Sequence, residues 1–399
     1  MKRYYFDYAA TTPVKKEVIK EMADFWSKYF GNPSSLYSEG RIARQAILNA
    51  RQKIAKILKV NPSEIIFTNG GTESINLALL GISRFYRHEL KNPQIIVSKI
   101  EHPAVLETAK YLESEGFKII YLDVDKKGLV KIPELKKHLN QNTLLVSIMY
   151  ANNEIGTIQP IPKIAKIIKA FRKKNQTIFP IFHTDACQAA GYLNIEPKKL
   201  GVDLLSLNGS KIYGPKATGL LYKKEDIQLT PIIFGGGQEK GYRSGTENVP
   251  GIVGFAKALE LAQKEKDKEA KRLKVLRDYL IKEVLQKIPK VLINGDLKNR
   301  LPNNINFSIL DIEGEALILK LDEYGIAAST GSACHSGSLK PSHVLEALGL
   351  PHEFIHGSLR ITLGHQTTKK DIDYLIKTLQ KVVNELRELS PLALKIKKW

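Results

Sequence analysis

The chain has 399 residues, 43% apolar and 26% charged, a balance that excludes a disordered, collagenous or disulfide-scaffold protein and fits a globular enzyme. Its length exceeds what one core usually fills, which predicts two domains or one large domain with a lobe. Lys and Arg number 61 against 41 Asp and Glu, a net charge of +20; the lysines are spread at helix-like spacing, as on a solvated surface, with no zinc-finger or RNP spacing, so nucleic acid is not an expected partner.

No apolar run reaches 18 residues, so no membrane-spanning helix is expected. Residues 1–7 carry no apolar signal core before the acid at Asp7. The chain holds two cysteines, which argues for a reducing compartment, and a cytoplasmic location is expected.

Short apolar runs at 65–67, 95–97, 119–122, 144–149, 178–183, 204–207 and 219–222 alternate with amphipathic stretches. This pattern predicts βα units around a mostly parallel sheet, an α/β fold. A helix-rich region follows from about 251 to 285, then strands near 304–309 and 357–362. The expected division is a large domain of residues 15–261 and a smaller α/β lobe of residues 1–14 and 262–399. Ligand chemistry on parallel sheets collects at the carboxyl ends of strands. Polar clusters stand at those ends: 69–73, Glu101-His102, Asn152-Asn153, 185–188 and Ser210-Lys211.

Five pieces of the sequence can carry chemistry, four at those strand ends and one farther on. Thr68-Asn69-Gly70-Gly71-Thr72-Glu73-Ser74 joins a strand to a helix; its two glycines let backbone approach an anion at a helix N-terminus, though the spacing is neither a dinucleotide fingerprint nor a Walker loop, and a plain helix cap reads as well. Lys211, after a strand and before Gly214-Pro215, is placed to form a Schiff base; an ordinary surface lysine is the alternative. Asp185 can hold a protonated pyridine nitrogen or simply cap a helix. His102 can stack on a cofactor ring and move protons, or be a satisfied loop residue. Cys334 lies in Gly331-Ser332-Ala333-Cys334-His335-Ser336-Gly337, a stretch that reads as an exposed, mobile loop, where a thiol is a liability unless used as a nucleophile. Cys187, in a tight strand-to-helix turn, reads instead as a small buried hydrophobe. No metal site is expected.

In this order the pieces resemble the cysteine desulfurases, pyridoxal-phosphate enzymes of fold type I in the class V aminotransferase group. The resemblance runs nearly the whole chain, from Tyr5-Phe6-Asp7-Tyr8-Ala9-Ala10-Thr11-Thr12-Pro13 through Asn152-Asn153-Glu154-Ile155-Gly156 and Arg243-Ser244-Gly245-Thr246 to Leu359-Arg360-Ile361. The Gly-Ser-Ala-Cys stretch is similar to the nitrogen-fixation and iron–sulfur-cluster type. The resemblance implies that Lys211 carries pyridoxal 5′-phosphate, that Asp185 pairs with the ring nitrogen and Gln188 with the ring hydroxyl oxygen, and that His102 stacks on the ring. Gly71, Thr72, Asn208 and Ser210 would face the phosphate, with Thr246 reaching the phosphate of a partner subunit in a homodimer. Asn153, Arg360 and Asn32 would hold the substrate carboxylate. The implied reaction takes L-cysteine to L-alanine. Lys211 removes the α-proton, and the sulfur is left as a persulfide on Cys334 for an acceptor protein, an iron–sulfur scaffold or a tRNA-thiolation enzyme.

Three other readings compete: a selenocysteine lyase, some of which also carry Ala-Cys-His-Ser; a class V aminotransferase without desulfurase activity; and a non-catalytic binding protein using the basic surface. The chain departs from the family where a His usually precedes the cofactor lysine and a Ser stands two residues earlier: here these are Ser210 and Asn208. Ser210 can donate a hydrogen bond but is never charged. Cofactor retention is therefore expected to be weaker than in a relative with His, and Ser210→His should slow pyridoxal phosphate dissociation. Unchanged or faster release, followed by loss of visible absorbance on dilution, would count against this.

Overall fold

The computed structural model describes residues 2–331 and 341–389. Among them the strands are β1 (Tyr4–Tyr5), β2 (Ile65–Thr68), β3 (Gln94–Ser98), β4 (Lys118–Leu122), β5 (Thr143–Ser147), β6 (Ile181–Asp185), β7 (Leu204–Asn208), β8 (Gly219–Lys223), β9 (Val291–Ile293), β10 (Asn304–Ile309), β11 (Ile326–Ala327) and β12 (Ser358–Thr362). Seven of them form one sheet in the order β2-β8-β7-β6-β5-β3-β4. The pairings from β7 through β6, β5 and β3 to β4 are parallel. β8 runs against both β7 and β2. The seven predicted runs correspond to these seven strands.

Alternation along each strand sorts the side chains into two layers. Ile96, Val146, Phe182, Leu205 and Leu220 pack on one face. Ile95, Val97, Leu145, Ile181, Leu204 and Leu221 pack on the other. Both faces are covered, which is why the strands read as continuous apolar runs rather than alternating ones. β2, β3, β5 and β8 are buried throughout.

A third core gathers around the antiparallel sheet β12-β10-β9, with Phe6, Phe307 and the apolar face of the Lys369–Leu389 helix. The 39-residue helix Val249–Lys287 joins the cores: Ile252, Phe255 and Leu259 belong to the first, Leu273, Leu280 and Val284 to the third. No helix among the described residues is long and apolar enough to cross a membrane.

The segment 152–158 ties the large sheet to the third core. Leu301 N–H donates to the Gly156 carbonyl at 2.9 Å and Ile158 N–H to that of Asn299 at 2.8 Å. From β10, the Asn304 and Asn306 side-chain amides donate to the carbonyls of Asn153 and Glu154, each at 3.3 Å. Gly156 has a φ of +73°, and a Cβ there would lie 2.7 Å from Asn304 Oδ1. Gly156→Ala therefore combines backbone strain with overpacking, and should lower stability by about 2–4 kcal/mol, read as a lower urea midpoint with the slope unchanged.

Candidate active site

The carboxyl ends of β2, β3, β5, β6 and β7 share one edge of the sheet, and a cavity of about 230 Å³ opens there. Gly71, Thr72, His102, Asn153, Asp185, Gln188, Asn208, Lys211 and Arg360 line it. Nine expected site residues, drawn from positions 71 to 360, thus converge on one space.

Each is held by its own element. Gly71 and Thr72 begin the Gly71–Phe85 helix, whose N-cap Gly70, at φ +120°, offers no side-chain cap. The free N–H groups of that first turn and the helix dipole make an anion site at the cavity wall. A Cβ at Gly71 would stand 2.8 Å from Cys187 Sγ, so only glycine lets the helix start this close to the floor. His102 is the N-cap of the Pro103–Ser114 helix, and its Nδ1 accepts from Ala104 N–H at 3.1 Å. In the neutral ring the proton therefore sits on Nε2. Asp185 ends β6, 6% exposed, and its Oδ1 accepts from Cys187 N–H at 2.9 Å.

Lys211 follows β7 in a short 3-10 turn. Its Nζ donates to the carbonyls of Ala9 and Ala10, at 2.9 and 2.5 Å. Gln188 Nε2 donates to the same Ala9 carbonyl at 3.0 Å. The N-terminal segment thus covers the lysine and the glutamine together. Arg360, on β12, is 1% exposed. Its NH2 group donates to Asp7 Oδ1 at 2.7 Å and its NH1 group to the Asn153 carbonyl at 3.2 Å. Its Nε is buried with no partner among the described residues. An unpaired N–H on a buried guanidinium is costly unless an anion meets it.

Three expected residues stand elsewhere. Ser210 is beside the cavity, its Oγ donating to Asn208 Oδ1 at 3.1 Å. Thr246 lines a separate recess with Thr68, Asn69 and Arg243. Asn32 is exposed, and its Oδ1 accepts from Ser34 N–H at 2.9 Å. Cys334 lies outside the described residues. Cys187 is buried, as read from the sequence, yet it also lines the cavity. Burial, with Asp185 adding, pushes its thiol well above the usual range, so it is neutral and a poor nucleophile.

Sequence reasoning passed over three contributors. Asp7 orients Arg360. A hydrogen-bonded chain runs beneath Asp185: His183 reaches Ser147 Oγ at 2.8 Å and Ser206 Oγ at 3.0 Å, and Ser206 Oγ lies 2.7 Å from Ser74 Oγ. Burial lowers the pKa of His183 to about 4, so this chain is uncharged near neutrality. Glu101 is the third. Its Oε1 accepts from Ser98 Oγ at 2.5 Å and Met149 N–H at 2.9 Å, while its Oε2 is buried without a partner among the described residues. Asp7, Ser74 and Glu101 fall inside stretches singled out in the sequence, but nothing there gives them these partners, which only the fold brings together.

The family model described as aminotransferase class-V matches residues 4–375. A protein named cysteine desulfurase IscS from Dictyoglomus turgidum is 51% identical over 98% of this chain and 97% of its own length. A solved NifS-like protein is 40% identical with a TM-score of 0.89, covering 96% of this chain and 100% of that one. A structure described as SspA in complex with cysteine is 36% identical with a TM-score of 0.77, over 91% of this chain and 99% of the other.

Desolvation raises the Glu101 pKa to about 8, with Asp185 adding and the bonds from Ser98 and Met149 opposing. An unfolded glutamate titrates near ~4.3. Folding therefore takes up a proton between these values, and this carboxyl's contribution to stability is lost as pH rises through them. Glu101→Gln should be more stable than wild type at pH 8, with the gap closing toward pH 5, as followed by denaturant midpoints. A pH-independent difference would refute the assignment.

Proposed function

The chain belongs to the aminotransferase class-V family, and from that premise we propose that it is a cysteine desulfurase. It converts L-cysteine to L-alanine and leaves the substrate sulfur as a persulfide on Cys334. The observation that carries this reading is the convergence of Lys211, Asp185, His102 and the buried Arg360 on one cavity, beside an uncapped helix N-terminus. That set fits pyridoxal 5′-phosphate. Gly71 and Thr72 would take its phosphate, with Asn208 and Ser210 nearby. Asp185 would take its ring nitrogen, Gln188 its ring hydroxyl and Lys211 its aldehyde carbon, with His102 against the ring. Bound there, the cofactor supplies an electron sink for the substrate's α-carbon.

The chain's own residues do the rest. Arg360 and Asn153 hold the substrate carboxylate, and Asp7 fixes the guanidinium plane; a planar fork suits a carboxylate better than an ammonium. Lys211 Nζ takes the α-proton and returns a proton to the substrate. His102, with its proton on Nε2, serves the transfers around the thiol. The Cys334 thiolate attacks the substrate sulfur, the carbon–sulfur bond breaks with its electron pair going to carbon, and that carbon is protonated. L-cysteine and the Cys334 thiol thus become L-alanine and the Cys334 persulfide.

The sulfur then passes to an acceptor protein, an iron–sulfur scaffold or a tRNA-thiolation enzyme. The net charge of +20 favours an acidic partner. We further assign a homodimer in which Thr246 faces the partner's phosphate. A cytoplasmic location keeps the thiols reduced.

The purified protein should absorb visible light, and the spectrum should shift with L-cysteine as alanine and sulfide appear in equal amounts under reductant. Lys211→Ala should abolish turnover. Cys334→Ser should keep the cysteine-induced shift while sulfide release falls ~100-fold or more. Normal sulfide release by that variant, or a stoichiometric keto-acid product, would overturn the reading.

A further inference from the structure

Cys334 is reached from two sides of the chain, after Gly331 and before Ser342, and both sides are fastened in the described structure. On the first side, Ser329 and Arg360 exchange backbone hydrogen bonds at 3.2 and 2.6 Å. Ser358 Oγ donates to the Thr330 carbonyl at 2.6 Å. That side is therefore sewn to β12 at the very residue whose guanidinium faces the cavity. On the second side, Ser342 caps the short His343–Ala347 helix. Its Oγ donates to Glu154 Oε2 at 2.6 Å.

Glu154 is where the two sides meet. It is 2% exposed. Its Oε2 would stand 3.1 Å from a Cβ built on Gly331, and Ser342 Cβ 4.0 Å from the same point. Its main chain is equally fixed: Asn152 Oδ1 accepts from the N–H groups of Glu154 and Ile155 at 2.8 and 2.9 Å, and Asn306 donates to its carbonyl. The residue before it is Asn153, whose carbonyl receives Arg360 and Asn304. One carboxylate is thus bonded to Ser342 at one end of the cysteine segment and lies close to Gly331 at the other, and its neighbour Asn153 lines the cavity with Arg360.

Resting on the desulfurase reading, we propose that Glu154 is a positioning residue for sulfur transfer: with Ser342 it fixes the anchors of the Cys334 segment relative to Asn153 and Arg360. Attack on the substrate sulfur needs the thiol and the held substrate in one geometry, and misplacement of about 1 Å can cost ~100-fold in rate. Glu154 is not among the residues that line the cavity, so its side chain can affect sulfur transfer apart from substrate binding.

The test uses cofactor-loaded protein and two readouts: L-cysteine affinity from the spectral shift, and single-turnover persulfide formation mapped to Cys334 by peptide mass. In Glu154→Ala the affinity should change less than ~3-fold while persulfide formation slows ~10–100-fold. Glu154→Gln keeps an acceptor for Ser342 and should recover most of the rate. Ser342→Ala should slow the same step, and it carries the test if Glu154→Ala fails to fold. Parallel loss of affinity and rate would mean a merely structural role. Unchanged persulfide formation in both alanine variants would also overturn the proposal. A wild-type protein that forms no persulfide would sink the desulfurase reading instead.

Discussion

The buried guanidinium of Arg360 is the constraint around which the rest is arranged. A charge taken out of water costs several kcal/mol unless its hydrogen-bonding positions are met. Asp7 meets one position from the N-terminal segment and the Asn153 carbonyl meets another from the large sheet. The Arg360 backbone meets Ser329 on a third piece of chain. Three segments far apart in sequence thus meet at one residue, two of them through its side chain and one through its backbone. Two of its five N–H positions are met in this way, and its Nε has no partner among the described residues.

The opposite wall follows a different economy. Beneath Asp185 the groups are hydrogen-bonded but uncharged: a neutral His183, the hydroxyls of Ser147, Ser206 and Ser74, and a protonated thiol at Cys187. This layer satisfies its own polar atoms without adding a charge to compete with Asp185. The lysine is handled by carbonyl dipoles from Ala9 and Ala10. Full charges therefore stand where ligand groups are expected, and the structure beneath is polar but neutral.

Much of this was legible in the sequence because it is local. The seven strands of the large sheet announce themselves as apolar runs, and residues at the carboxyl ends of five of them make up most of the cavity lining. The two- and three-residue strands β1, β9 and β11 carry too little pattern to be seen. Asp7 and Arg360 are separated by 353 residues, and no spacing rule joins them. Glu154 looked like part of a motif, but its contact with Ser342 depends on where the His343–Ala347 helix docks. Thr246 and Asn32 stand away from the cavity for the same reason: motif order says which residues recur, not which ones a single chain brings together.

The helix Val249–Lys287 has a consequence of its own. At 1.5 Å per residue it is a rod of roughly 58 Å, with one half packed in the core of the large sheet and the other in the core around β10 and β12. Melting either core strips half of its apolar stripe. A helix stripped on one side must then be held by propensity alone, which is marginal in water. The two cores are thus locked into one cooperative folding unit, although their sheets are separate.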